Sequence, residues 1–396
     1  MEGFYRTHNY LVEHNSAAVR RKLMDEIDWS HRLIGIKGSR GVGKTTFLLQ
    51  YAKEKFGKSR ACLYVNMNNL YFSNNTLVDF AEKFHKQGGE VLLIDQVFKY
   101  DGWSKELRIC YEKFPELKIV FTGSSVMRLK EENVELRDIV ESYNLRGFSL
   151  REFINIKEGV KLKSYSLSEI LSNHSVIAKA VLSKTDPMKY IQEYIHHGYY
   201  PFFLEKRNFS ENLLKTVNMM LEVDILLLKE IELKYLSKIK KLLYLLAINR
   251  DKAPNISSLA KEINTSRATI MNYINYLSDA RLINLIYKQD EDDKTKKPSK
   301  IVMHNSNLLY SIYPLNVNEE EKYETFFINT LWKDHEVNIM SNSSKHITYK
   351  VDNEYEFRVC KSSDKMKKND NVYYALSDLA QGKENKIPLW IFGFLY

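Results

Sequence analysis

The chain is poor in cysteine: 3 in 396 residues, Cys62, Cys110 and Cys360, widely separated and with no C-x-x-C pair. That spacing excludes a zinc ribbon or a disulfide framework and predicts a reducing compartment. Long apolar runs are also missing. No stretch approaches the roughly 18 apolar residues a membrane span needs, and Met1-Glu2-Gly3-Phe4-Tyr5-Arg6 lacks an apolar signal segment. The expectation is a cytoplasmic protein with no membrane partner. No internal repeat is found, so a repeat architecture is not expected.

What remains is ordinary for a soluble globular chain: 44% hydrophobic and 28% charged residues, with length for roughly two to four domains. The formal charge of +9 favours a polyanionic partner such as nucleic acid, although a basic surface also serves solubility.

The most informative segment is Gly38-Ser39-Arg40-Gly41-Val42-Gly43-Lys44-Thr45, which fits the phosphate-binding pattern G-x-x-x-x-G-K-[ST]. Its glycines let successive backbone N–H groups turn toward phosphate oxygens, Lys44 reaches the β and γ phosphates, and the Thr45 hydroxyl is placed to ligate Mg²⁺. Leu33-Ile34-Gly35-Ile36 before it reads as a buried parallel strand. Thr46 to Ala52 after it reads as a helix whose N-terminal dipole favours anions. Gly38, Arg40, Gly41, Val42, Gly43, Lys44, Thr45 and Thr46 are therefore the nucleotide-binding candidates, with ATP and Mg²⁺ the expected cofactors.

Three further apolar runs alternate with helical segments, as in a parallel sheet covered by helices: Ala61 to Asn66, Val91 to Asp95, and Lys118 to Ser125. Ligands of such sheets bind at the carboxyl ends of strands, so Asp95 and Thr122 should face the phosphate loop. Asp95 after four apolar residues fits a Walker B aspartate holding the Mg²⁺ shell. The next residue is Gln96, whose amide cannot take a proton from an attacking water, so hydrolysis as written is expected to be slow. A natural slow switch and a sequence altered to trap bound ATP are the two readings of Gln96, the second favoured.

Beyond Ser149 the sequence turns helical. Glu211 to Leu246 places Leu213, Leu214, Val217, Met220, Leu221, Ile225, Leu228, Leu242, Leu243 and Leu246 at helical spacing, a stripe read as core. Ile256 to Ile263, the turn Asn264-Thr265, and Ser266 to Leu277 form a helix-turn-helix pattern with Ser266 as N-cap and Ile270, Tyr273, Ile274 and Leu277 as buried face. The charged segment between Ile286 and Ile301 reads as the hairpin of a winged helix. Lys261, Arg267, Thr269, Asn272, Lys296 and Lys297 are the candidates for DNA contact, while the acidic residues Asp290, Glu291, Asp292 and Asp293 beside the two wing lysines oppose it.

Several segments in this order resemble one family. They are the phosphate loop, Leu93-Ile94-Asp95-Gln96 with Trp103-Ser104 behind it, Phe121-Thr122-Gly123-Ser124-Ser125, Tyr143 to Phe153, Gly198 to Phe203, Glu222 to Ile225, Glu324 to Phe327 and the terminal Ile387 to Tyr396. Together they are similar to bacterial and archaeal AAA-type ATPases that join an ATPase core to a helical lid, a winged helix and a C-terminal domain of the PD-(D/E)XK nuclease type. The resemblance implies an α/β P-loop NTPase core with a parallel sheet over 1–150, a helical lid over 151–240, a winged helix over 241–315 and a small α+β nuclease-like domain over 316–396. It also implies Thr122 as the sensor of the γ-phosphate and an arginine finger for which Arg137 is the candidate, with Arg128 or Arg146 as substitutes. Nuclease chemistry needs an Asp and a Glu-x-Lys on adjacent strands to hold Mg²⁺. The matching positions here hold Thr348 and Arg358, and Glu324 alone cannot hold a catalytic metal, so the last domain reads as a structural or binding module.

The leading expectation is thus an oligomeric ATP-binding AAA-type ATPase, with Lys44, Asp95, Gln96, Thr122 and Arg137 as its reaction-site residues, coupling nucleotide state to engagement of duplex or branched DNA. A nucleotide-controlled switch of the STAND kind that binds a protein partner is the alternative. An ATP-powered nuclease is disfavoured.

Overall fold

The computed structural model describes the chain except residues 16, 18, 128, 130–132, 206–207, 227–228, 249–252, 290–296, 316, 333, 341–346, 365 and 367–370. Arg128, Leu228, Lys296 and the acidic run from Asp290 lie outside the described residues. The chain divides into two compact units, Met1–Gly147 and Phe148–Tyr396.

In the first unit, five short strands form one parallel sheet: β1 (Leu33–Gly38), β2 (Cys62–Asn66), β3 (Val91–Asp95), β4 (Lys118–Ser124) and β5 (Glu141–Asn144). Their order is β2-β3-β4-β1-β5. Strands β1 to β4 are nearly continuous apolar runs because helices cover both faces. Leu33, Ile34, Ile36, Leu63, Leu92, Leu93, Ile94, Val120 and Phe121 are all buried, and each large side chain of this kind contributes about 1.5–3 kcal/mol by leaving water. The strand β5, Glu-Ser-Tyr-Asn, carries no apolar run and was not anticipated; it pairs with β1 as an edge.

Register places the carboxyl ends together. Asn66 lies beside Asp95, and Ile94 beside Phe121, so Asp95 at the end of β3 stands next to Thr122, two residues before the end of β4. The other edge, β2, is covered by an N-terminal helix, Glu2–His14, which the sequence reading passed over. Its His8 is fully buried, and the imidazole Nδ1 accepts the Tyr64 N–H at 3.0 Å, satisfying an outward-pointing donor of the edge strand.

The second unit begins with helices Leu150–Glu158 and Leu167–Leu182, each opened by a Ser/Glu capping box, and Pro187–His197. The stripe between Glu211 and Leu246 is broken rather than continuous. Helix Phe209–Met219 passes into a π-helical turn, Met220–Ile225, and a separate helix follows, Leu236–Ile248. Leu214 is not core as expected; it is 40% exposed, on the outer face of its helix, while Leu213 and Val217 are buried.

Helices Ile256–Ile263 and Arg267–Asp279 come next, the second capped by Ser266, which accepts the Thr269 N–H. Ile270, Tyr273, Ile274 and Leu277 form its buried face as the spacing predicts. Strands β6 (Ile283–Ile286) and β7 (Lys300–Met303) form an antiparallel hairpin. The chain ends in helix Glu319–Leu331 and a mixed sheet of β8 (Val337–Ile339), β9 (Tyr349–Val351), β10 (Tyr355–Cys360), β11 (Val372–Leu376) and β12 (Lys386–Pro388).

That sheet has the order β12-β11-β10-β9-β8, antiparallel from β8 to β10 and parallel from β10 to β12. Phe327 of the preceding helix packs on Phe357 and Phe392, with ring centroids 5.3 and 4.9 Å apart. The hairpin is stitched to the sheet: Ile339 N–H donates to Tyr287 C=O at 2.8 Å, and Gln289 N–H donates back to Ile339 C=O at 3.3 Å.

Candidate functional site

The phosphate loop joins β1 to helix Lys44–Lys55. Gly38 passes so close to the chain after β5 that a Cβ there would stand 2.4 Å from the Leu145 carbonyl oxygen, and Gly43 takes a left-handed φ of +96°. Both positions require glycine. Lys44 Nζ donates to the Gly38 and Ser39 carbonyls at 2.7 and 3.0 Å, which lays the ammonium over the loop. Val42 is buried and Arg40 half-buried, while Thr45 and Thr46 are exposed; the Thr46 carbonyl accepts from Asn15 Nδ2 at 3.2 Å.

Asp95 is the centre of the arrangement, 1% exposed at the end of β3. Its Oδ2 accepts from the Thr45 hydroxyl at 2.7 Å and the Tyr64 hydroxyl at 2.8 Å, with Asn66 Nδ2 at 3.4 Å; its Oδ1 accepts from the Thr122 hydroxyl. Thr122 in turn accepts the Gln96 N–H at 2.9 Å, and Gln96 is held in a left-handed conformation at φ +55°. Thr45 gives its proton to Asp95 and keeps its oxygen lone pairs for another partner, the pairing a hydroxyl ligand of Mg²⁺ requires. Burial, and then the Asp95 carboxylate, push the Tyr64 phenol well above its ordinary pKa, so it stays a donor.

Lys44, Thr45, Asp95, Gln96 and Thr122 are thus brought to one end of the sheet. Arg137 is exposed on the segment before β5 and is not among the donors to Asp95. Its neighbour Asp138 pairs with Arg108 at 2.7 Å. Arg146 offers its carbonyl to Arg21.

Three residues at the site escaped the sequence reading. Tyr64 and Asn66 sit two apart on β2 and so face the same side; a polar residue ending an apolar strand, the signal that identified Asp95, applies equally to Asn66. Arg21 is buried and donates to the carbonyls of Val42, Arg146 and Gly147 at 3.3, 2.7 and 2.9 Å, tying the loop to the segment after β5. Nothing in its local sequence marks it.

In the second unit, Lys261, Arg267, Asn272 and Lys297 are exposed. Thr269 is half-buried, with its hydroxyl 2.9 Å from Ser266 Oγ as part of the helix cap. Thr348 Oγ1 accepts from Arg358 Nε at 2.8 Å, so a hydroxyl and a guanidinium pair at these two positions. Phe357 faces helix Glu319–Leu331, hence Arg358 points to the opposite face of the sheet. Glu324, on that helix, is ion-paired with Lys300 at 2.5 Å. The three positions do not converge. Among the described residues no group of three His, Cys, Asp or Glu side chains is placed to hold a metal, and no helix is long and apolar enough to cross a membrane.

Comparison with known proteins matches residues 30–154 to the family described as AAA domain and residues 188–321 to a domain of unknown function, DUF8612. Two curated relatives, the uncharacterized proteins MJ1637 and MJ1544 of Methanocaldococcus jannaschii, are 27% identical over 285 residues and 29% identical over 279. These alignments cover 68% and 67% of this chain but 60% and 59% of the relatives, so the chain spans about three fifths of the length of the proteins it matches. Similar solved structures include a Thermotoga maritima RuvB variant (16% identical, TM-score 0.29, covering 76% of this chain and 91% of that one). AMPPCP-bound DnaA from Aquifex aeolicus is also similar (16%, 0.28, 69% and 87%), as is C. elegans PCH-2 (15%, 0.26, 70% and 66%). With its all-parallel five-stranded sheet, flanking helices and AAA-domain match, the region of residues 30–154 has the fold of an AAA-type P-loop NTPase.

Proposed function

We propose that the chain binds ATP with Mg²⁺ at the end of the first sheet and hydrolyses it slowly. The observation that carries this reading is the hydrogen-bond chain Thr45–Asp95–Thr122–Gln96, which links the phosphate loop to two neighbouring strand ends. The loop from Gly38 to Thr46 and Lys44 would hold the phosphates, while Thr45, supported by Asp95, would hold the metal, whose chemistry is to offset charge on the transferred phosphoryl group. Thr122 would sense the γ-phosphate. Gln96 can orient a water but cannot take its proton.

The experiment is a thermal melt with and without ATP and MgCl₂, beside a phosphate-release assay. Stabilisation by the pair with slow release supports the reading; no shift at millimolar ATP removes it.

Nucleotide state would be read out through engagement of duplex or branched DNA by the exposed face of helix Arg267–Asp279, in an oligomer whose neighbour supplies an arginine such as Arg137. Light scattering with and without ATP checks the assembly, and a monomer in both states rejects the arginine in trans. A second reading, a switch that binds a protein partner, is favoured by one observation: the hairpin β6–β7 is bonded to the C-terminal sheet through Tyr287 and Gln289, which restricts its use as a DNA-reading wing. Duplex affinity that falls steeply with salt separates the two. We further read 151–240, 241–315 and 316–396 as lid, winged helix and a nuclease-like module without nuclease activity, supported by Thr348 and Arg358.

A further inference from the structure

Asp95 carries two pins of different character. On Oδ1 the Thr122 hydroxyl is itself fixed by the Gln96 N–H. On Oδ2 the short contacts are Thr45 and Tyr64. Thr45 is exposed in the first turn of the helix after the phosphate loop, where its hydroxyl is open to what the loop holds. Tyr64 is 5% exposed and held at both ends: its hydroxyl lies on Asp95, and its backbone N–H is held by His8 on the N-terminal helix. A carboxylate held at one oxygen rotates about its Cβ–Cγ bond; held at both, it does not.

We propose that Tyr64 is a positioning residue for the metal: its hydroxyl fixes the rotation of the Asp95 carboxylate and thereby sets how strongly the site takes up Mg²⁺ with ATP. This rests on the reading of the site as a Mg²⁺–ATP site. Groups that orient a metal's supporting carboxylates affect metal affinity by about 10- to 100-fold. The phenol is suited to the task because it keeps its proton beside the carboxylate and has only two side-chain torsions to fix.

The test compares ATP dissociation constants by calorimetry in EDTA and in excess MgCl₂, for the parent, Tyr64→Phe and Cys62→Ala. Phe keeps the ring and its packing. Cys62 is buried on the same strand, so its truncation loosens β2 without touching Asp95. Tyr64→Phe is expected to bind ATP like the parent in EDTA, and to lose about 10-fold of the affinity that Mg²⁺ adds. Cys62→Ala is expected to melt earlier with that gain unchanged.

An equal Mg²⁺ gain in Tyr64→Phe and parent overturns the proposal while leaving ATP binding intact. So does an equal loss in Cys62→Ala, which would make the effect one of strand stability. A parent that binds ATP no better with Mg²⁺ rejects the metal site and the proposal together, and one that binds no ATP rejects the proposed function itself. Should Tyr64→Phe fail to fold, Asn66→Ala removes the remaining donor to Oδ2 from β2, and the same ratio is read: a reduced gain supports the pinning of that oxygen from this strand, and an unchanged one overturns it.

Discussion

Lys300 on β7 and Glu324 on helix Glu319–Leu331 form an ion pair at 2.5 Å with only 11% and 14% of their side chains exposed. Removing one partner strands the other charge in a site with little water. Glu324→Ala should therefore lower stability by about 2–4 kcal/mol, whereas replacing both residues by Met should cost less than half of that. Urea unfolding of the three proteins is the measurement. Equal losses in the single and double variants would show that packing, not the stranded charge, sets the cost.

At the phosphate loop, Gln96→Glu should raise phosphate release by about 100-fold, the scale of a general base. Glu and Gln are isosteric, so the left-handed backbone of this position is expected to persist and the effect to be chemical. Lys44→Ala should abolish the melting shift with ATP, which for the parent at 100 times Kd corresponds to about 2.7 kcal/mol. An unchanged release rate in Gln96→Glu would place the base elsewhere.

For polynucleotide binding, Arg267 and Lys261 are both exposed on the helix-turn-helix. If they meet phosphates, Arg267→Ala and Lys261→Ala should each weaken duplex binding and reduce the slope of log K against log salt by about 1. A normal slope in both with loss in Lys297→Ala would move the contact to the hairpin. Absence of duplex binding at low salt in the ATP state would leave the switch reading.

His8 gives a pH dependence. Burial holds its pKa below the ordinary histidine value, and its Nδ1 must stay unprotonated to accept the Tyr64 N–H. The unfolded chain binds the proton first, so stability is full above about pH 6.5 and falls as pH drops toward the lowered folded value. Urea midpoints at pH 7.5 and 5.5 should therefore differ more in the parent than in His8→Gln. An equal difference would show that His8 does not titrate in this window.

The nucleotide end of the fold was legible because its signals are local: glycines where the backbone must turn or come close, an apolar run ending in Asp95 and another ending near Thr122; in the second unit the serine cap three residues before Thr269 is local in the same way. Tyr64 and Arg21 were not legible, because their partners lie 31 and 125 residues away and neither type announces a role. The strand β5 was hidden for a related reason: an edge strand needs little apolar sequence when its neighbour supplies the ladder. Leu214 fails the other way. Its spacing fits the stripe, but Leu213 and Val217 fill the buried face of the helix and leave Leu214 at its outer margin, 40% exposed.

The stitching of Tyr287 and Gln289 to Ile339 has a consequence for how the chain can be divided. A cut before Glu319 would not release a finished helix-turn-helix module. It would leave an open strand edge, with the donors and acceptors of residues 287–289 facing water, and a lysine without its carboxylate. Exposed edges of that kind recruit other strands, so the severed piece would tend toward intermolecular sheets. The hairpin and the C-terminal sheet are one hydrogen-bonded fabric, and a rotation of either carries the other with it.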